Sequence, residues 1–416
     1  MSKIIQFIKS LGPGLLFASM AIGTSHLVLS TKAGAQYGWL MAIPIILANL
    51  LKYPFFEFGV RYTNVTRKTL IQGYLNLGKR YLWLYGLITL ISTFTILAAL
   101  YIVTAGLFVN LFKIGGISLD MVALGIFVFI SALLIIGKYR FLENSLKVVI
   151  AVLFISLVAT TCLVLYKGQV EPVADFESPS IFNEAGILFL IGLIGWMPTA
   201  VEASGWVSLW SIEKQNESKV QPTLKEALKE FNLGYILTAI LAVFFMIIGW
   251  KTLYGTGTEL SGNAVTFADQ VVGLFTVNIG SWAYVIIAMA AFATMFSTCM
   301  TAHDAISRVS LDILDKMIPS KKFYNSKTAF AICVIFMALV NWVVITLFSA
   351  NMGNLVALAT FVSFVFAPLL GWMNLKTVMG EDVSVDKRPS IGLQLLTYLG
   401  IIFLTAFALY YLYMLY

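Results

Sequence analysis

Continuous apolar runs of about 20 residues recur from one end of this chain to the other, and nothing else in the sequence constrains its fold as strongly. Wound as a helix, such a run crosses roughly 30 Å of hydrocarbon. Of the 416 residues 60% are hydrophobic and only 11% charged, and a soluble chain could not cover that much apolar side chain. The runs are unbroken rather than alternating, which excludes an outer-membrane barrel. The expected class is an all-α integral membrane protein with 11 transmembrane helices. The spans fall at 14–36, 40–62, 82–110, 118–138, 143–166, 185–210, 232–252, 276–302, 328–350, 353–374 and 391–415.

The net charge of +7 follows from orientation and implies no nucleic acid. With the N-terminus cytoplasmic, the inside segments hold 22 of the 27 basic residues. Among them are Arg61, Arg67, Lys68, Lys138, Lys219, Arg308, Lys321, Lys322, Lys387 and Arg388. Lys32, Lys113, Lys167 and Lys251 lie outside, and Lys52 falls within span two. The positive-inside rule therefore expects a cytoplasmic N-terminus and an extracytoplasmic C-terminus, in a bacterial inner membrane. The basic start "MSKIIQFIKSLGPGLLF" lacks a small-residue cleavage site and reads as retained. Cys162, Cys299 and Cys333 lie in separate apolar runs and read as packing residues. Before span seven, "QPTLKEALKEFNLGY" offers Thr223 as a cap with Glu226 three residues on. Leu224, Leu228 and Phe231 follow on one face, so an amphipathic surface helix running into the span is expected. No nucleophile–base constellation is visible, which speaks against an enzyme, and no protein partner is implied. The partners expected are the lipid bilayer and a small inorganic ion.

Two spans break the apolar rule at mid-depth. Span one carries Gly23-Thr24-Ser25-His26, and span six reads "LIGWMPTAVEASGW", with Gly195, Pro198 and Glu202. Five spans separate them, so they occupy matching positions in two five-helix halves. Paired interruptions of this kind mark an inverted-repeat transporter with a midplane site. Pro198 removes a backbone donor and frees a carbonyl, and freed groups are tolerated in lipid only where they face protein, an ion or a cavity. Repeat one is expected over about 12–166, repeat two over about 183–374, and an additional helix over about 391–415, all one transporter domain.

The stretch "GPGLLFASMAIGTSHLVLSTKAGAQYGW" resembles, without a gap, the first span of NRAMP-type metal transporters. Both the Gly12-Pro13-Gly14-Leu15-Leu16 start and the Ala33-Gly34-Ala35-Gln36-Tyr37-Gly38 end fit. "GKYRFLENSLKVVIAVL" resembles the start of that family's span five, and "MPTAVEASGW" its Met-Pro-containing span six. The resemblance implies a LeuT-like 5+5 inverted repeat, with helices 1 and 6 broken. It also exposes a difference. The family's Asp-Pro-Gly-Asn motif supplies two metal ligands from span one, and here those positions are Gly23 and His26. The family's span-six Met matches Met197 only with a two-residue gap, and Thr199 without it. The span-three acidic residues used for proton transfer have no counterpart in "STFTILAALYIVTAG".

Divalent cations want carboxylates, and transition metals want imidazole or sulfur as well. Half-helix N-termini and hydroxyls suit a small anion instead. The expected cargo is therefore a small anion such as bicarbonate, with a divalent metal ion of the Mn²⁺ or Mg²⁺ type as the alternative. Candidate substrate-binding residues are Gly23, Thr24, Ser25, His26, Met197, Pro198, Thr199 and Glu202. In "MFSTCMTAHDAISR" of span eight, Ser297 and Thr298, with Thr301 one turn on, resemble the hydroxyls that hold Na⁺ in sodium-coupled members of the superfamily. No cofactor is expected beyond Na⁺ as coupling ion. Among other embedded charges, Lys52 and Glu57 are expected to snorkel or to meet a neighbouring span. Asp304 and Arg308 are spaced for a structural pair, and His26 reads as a site-lining or pH-sensing residue.

Overall fold

The computed structural model describes residues 13–137, 139–174, 176–218, 221–318, 324, 326–348 and 351–414. The basic N-terminal start, Lys138, Lys219, Lys321 and Lys322 fall outside the described residues. Every described secondary-structure element is a helix. Span one begins as α1 (Pro13–Ala21) and loses its α-helical ladder at residues 22–24. Gly23 N–H reaches back only to the Ala21 carbonyl (2.8 Å), and the amides of His26 and Leu27 both converge on Gly23 O at 3.1 and 2.9 Å. The chain then winds as a wider π-helix over Ser25–Ser30 and re-enters α geometry as α2 (Thr31–Tyr37). This break is a change of helical pitch, not a loop.

A 3₁₀ corner at Gly38–Met41 passes the chain to α3 (Ala42–Thr66), followed by α4 (Leu70–Leu77), α5 (Lys79–Phe112), α6 (Leu119–Ile136) and α7 (Tyr139–Lys167). Span six is α8 (Glu184–Gly195), seven residues without regular structure that include a cis Met197–Pro198 bond, and α9 (Ala203–Ser218). There follow α10 (Leu224–Leu253), α11 (Ala264–Ile279), α12 (Tyr284–Met317), α13 (Lys327–Phe348), α14 (Met352–Val378) and α15 (Ile391–Met414).

Against eleven predicted crossings, eight helices among the described residues are long and apolar enough to span a bilayer. The difference has three sources. Spans one and two run together through their 3₁₀ corner as Ser25–Thr66, span six is cut into shorter helices, and span five is the 29-residue α7, of whose side chains only part is described. Two helices fall where the sequence predicts loops: α4, capped by the Thr69 side chain, and α11, capped by Asn263. Helix α12 runs well past the predicted end of span eight, laced there by Arg308–Asp304 and Lys316–Asp312 pairs four residues apart. The Thr223–Glu226 capping box forms as expected, and its helix runs without interruption into span seven.

Helices α5 and α12 pack on one another, while α10 packs against α1, α2 and α3. The contact between span one and α10 is backbone on backbone. A Cβ on Gly34 would stand 1.9 Å from Met246 O, and one on Gly249 would stand 2.2 Å from Thr31 O. At the other end, a Cβ on Gly234 would stand 2.2 Å from Gly14 O. Small residues permit such approach, and helix association in lipid relies on it. Large apolar side chains left exposed, among them Ile43, Ile46, Val128, Ile332 and Phe336, supply the lipid-facing surface.

Candidate functional site

Ser25 is the hub of the span-one break. Its Oγ lies 3.0 Å from Ala21 O, 3.2 Å from Pro198 O in the other broken span, and 2.8 Å from His26 Nδ1. One hydroxyl proton serves three acceptors, so the two breaks are tied at this atom. The far nitrogen of His26, Nε2, lies 2.9 Å from Thr238 O of α10. A carbonyl only accepts, so Nε2 carries hydrogen, and the fully buried ring bridges span one to α10.

The span-six break is held by charge. Lys52 on α3 is fully buried, and its Nζ donates to Ile194 O (2.9 Å), Gly195 O (2.8 Å) and Thr199 O (3.0 Å). It neither snorkels nor pairs with Glu57, which is bound by Arg61 one turn on at 2.5 Å. Glu202, immediately before α9, accepts from Ser92 Oγ of α5 at 2.6 Å, while its second oxygen is buried without a partner among the described residues. The amides of Ala203, Ser204 and Gly205 close tight turns onto the carbonyls of Ala200, Val201 and Glu202. The first three amides of α9 are therefore already taken. Upstream the case differs: among the described residues the amides of Thr199, Ala200 and Val201 donate to no backbone carbonyl.

A small cavity of about 20 Å³ lies between the breaks. That is room for about one water. Of the predicted residues, Thr24, Ser25, Thr199 and Thr298 line it. The remaining wall is Met20, Ala21, Ala200, Ala302, Ile96 and Leu100, with Trp196 and Trp206. The two tryptophans flank the break in "GWMPTAVEASGW", so large aromatics on either side of a helix interruption were the available signal. Ile96 and Leu100 carried none, being ordinary apolar residues of span three. In span six it is Thr199, not the buried Met197, that reaches the cavity. His26, Pro198 and Glu202 stand behind the wall, and Gly23 fits against Thr298, where a Cβ would come 2.8 Å from Cγ2.

Span eight meets span one through hydroxyls. Ser297 Oγ lies 2.8 Å from Ser19 Oγ, and Thr298 Oγ1 donates to Ser19 O at 3.1 Å. Thr301 does not join them and bonds back to Ser297 O and Thr298 O within its own helix. Asp304 and Arg308 form the expected pair. His303 is buried between Tyr101 OH (2.9 Å) and Val334 O (3.0 Å). Among the described residues, no group of three or more His, Cys, Asp or Glu side chains could hold a metal ion.

Two discontinuous helices that face a shared cavity inside a helical membrane bundle define a transporter of the LeuT-like class. Within that class the chain belongs to the Nramp family, whose model, described as natural resistance-associated macrophage protein-like, matches residues 14–414. Members of this family are transporters, not enzymes. An uncharacterized protein from Pasteurella multocida is 36% identical over 405 residues, covering 96% of this chain and 91% of its own length. The fold is similar to solved structures of a manganese transporter from Eremococcus coleocola. A mutant form gives a TM-score of 0.71 at 16% identity, covering 98% of this chain and 86% of the other. The same transporter in complex with an aromatic bis-isothiourea compound gives 0.72 at 15% identity with the same coverage. MhsT bound to L-phenylalanine gives 0.60 at 14% identity, covering 97% of this chain and 98% of that one. At these identities the likeness concerns the fold.

Proposed function

We propose that the chain moves a small inorganic ion by alternating access around the cavity between its two breaks, and that the chemistry of this cavity suits a small anion such as bicarbonate. One asymmetry supports the anion. At the span-six break the carbonyls of Ile194, Gly195, Pro198 and Thr199 already accept hydrogen bonds, whereas the amides of Thr199 and Ala200, both cavity residues, have no backbone acceptor among the described residues. Amides left without a backbone acceptor call for a ligand or water that accepts from them. With the hydroxyl of Thr199 they make a wall of donors without a carboxylate among the described lining residues. A doubly charged cation stripped of water by such a wall would lose hydration it cannot replace.

A divalent metal ion is the second reading, and it has the comparisons on its side: the family match and the manganese transporters among the structural neighbours favour it. Neither of these speaks for bicarbonate or for sodium. The coupling ion in our proposal is Na⁺, carried in symport near Ser19, Ser297 and Thr298, whose oxygens converge between spans one and eight. The two five-helix repeats, the cytoplasmic N-terminus and a bacterial inner-membrane location complete the proposal on the strength of sequence pattern and charge distribution. Parallel uptake of isotope-labelled bicarbonate and of Mn²⁺ into proteoliposomes, each with and without an inward Na⁺ gradient, tests it. Sodium-dependent bicarbonate uptake is expected. Mn²⁺ uptake indifferent to bicarbonate would overturn the anion and leave the metal.

A further inference from the structure

A helix that stops in the middle of a membrane leaves carbonyls without partners, and its C-terminal end carries partial negative charge. At the end of α8 those carbonyls are filled by a side chain from elsewhere. The Lys52 ammonium has three N–H donors, and three carbonyls receive them at 2.8–3.0 Å: Ile194 and Gly195 at the end of the half-helix, and Thr199 across the break. Lys52 is in no ion pair among the described residues. Glu202, three residues beyond Thr199, is bound to Ser92 instead. A lysine buried to this degree is expensive unless it is serving a structure that needs it.

We propose that Lys52 is the resident cation of the span-six break. Its ammonium fills a backbone-carbonyl site for a monovalent cation, tethered to α3 so that no free ion is needed there. The site's natural ligand class is a primary ammonium or a bare monovalent cation coordinated by carbonyl oxygens. The assignment concerns what holds the break together, and it does not depend on which ion the transporter carries. It has two consequences. The break is locked to α3, so the half-helix ends of span six and span two hold one register. A fixed positive charge also stands behind a wall whose Thr199 contributes its carbonyl to Lys52 and lines the cavity with its other atoms.

Chemical rescue tests this without any transport assay. Lys52→Ala removes the equivalent of propylammonium and leaves three unfilled carbonyls. Purified in detergent, this variant is expected to melt well below the wild-type protein. Propylammonium chloride should raise its melting temperature saturably, with 1-propanol and sodium chloride at matched concentration as controls. The wild-type protein, its site filled, should show no saturable response. A folded Lys52→Ala that ignores propylammonium would overturn the proposal. If Lys52→Ala is recovered folded only when propylammonium is present from extraction onward, the proposal is supported. If it is not recovered at all, Lys52→Gln decides: the amide keeps two donors without the charge. A melting temperature equal to the wild type would show that charge is not required and would sink the idea, whereas a clear loss of stability would uphold it.

Discussion

The two breaks occupy matching positions in the two halves, yet they are closed by opposite means. Span one is interrupted by a change of pitch and sealed with neutral groups: Gly23 O takes two amides, the Ser25 hydroxyl bridges to span six, and His26 reaches Thr238. Span six opens over seven residues and is held by two buried ionisable side chains, Lys52 on its carbonyls and Glu202 against Ser92. The same topological device thus tolerates different chemistry, provided every freed backbone acceptor finds a donor. It also shows where specificity can reside. The neutral break is the place where a substituted side chain changes what the cavity can bind, and the charged break is the place where substitution changes whether the helix holds.

The sharpest way to break that contrast is to put charge into the neutral side. Gly23→Asp would bring a carboxylate to the wall and press its Cβ on Thr298. Anion uptake into proteoliposomes is expected to fall to background, by like-charge exclusion and by the clash together. Under the metal reading the same variant regains the carboxylate found at the matching position in the family's metal motif, so Mn²⁺ uptake would persist or rise. A smaller effect is expected from Ser25→Ala. Buried acceptors on His26 and on the Pro198 and Ala21 carbonyls would share the loss of one donor, costing about 1–3 kcal/mol. A lower melting temperature and slower uptake follow, measured by thermal unfolding and initial rates. An unchanged melting temperature would mean that the hydroxyl does not tie the breaks together.

The smallest effect belongs outside both breaks and serves as a control. Beyond the membrane, Asp382 accepts from Lys68 (2.9 Å), Tyr62 (2.7 Å) and Asn76. The Lys68 hydrogen bond, with help from Tyr62 and Asn76, holds its carboxyl below the ordinary 3.8. A depressed carboxyl contributes stability above its unfolded value and loses it as pH falls through the folded one. The stability difference between wild type and Asp382→Asn should therefore be present at neutral pH and shrink below about pH 4. Uptake at neutral pH should stay near wild type, unlike that of either span-one variant.

Much of this was legible in the residues. The mid-depth Gly23-Thr24-Ser25-His26 and the Gly195–Pro198 stretch announced the breaks because hydrocarbon selects so strongly against them, and Thr223 with Glu226 announced a helix start because capping is local. Lys52 was visible as an anomaly, but its partners lie about 140 residues downstream on another helix, and no pattern within span two names them. His26 looked like a wall residue because it stands in the break. Helical rotation after a π turn does not follow the α period, and the ring points to α10 instead. Helices α4 and α11 were missed for a related reason: each is short and amphipathic and lies outside the long apolar runs.

The glycine contacts along span one carry a mechanical consequence. Gly14 against Gly234 near one end, and Gly34 with Gly249 near the other, bring the backbones of span one and α10 so close that no side chain separates them. Two rods in backbone contact near both ends resist sliding or rolling past each other. Any stroke that opens the cavity is therefore expected either to carry α10 along with span one or to flex the joint between the two contacts, where the π turn replaces the α-helix.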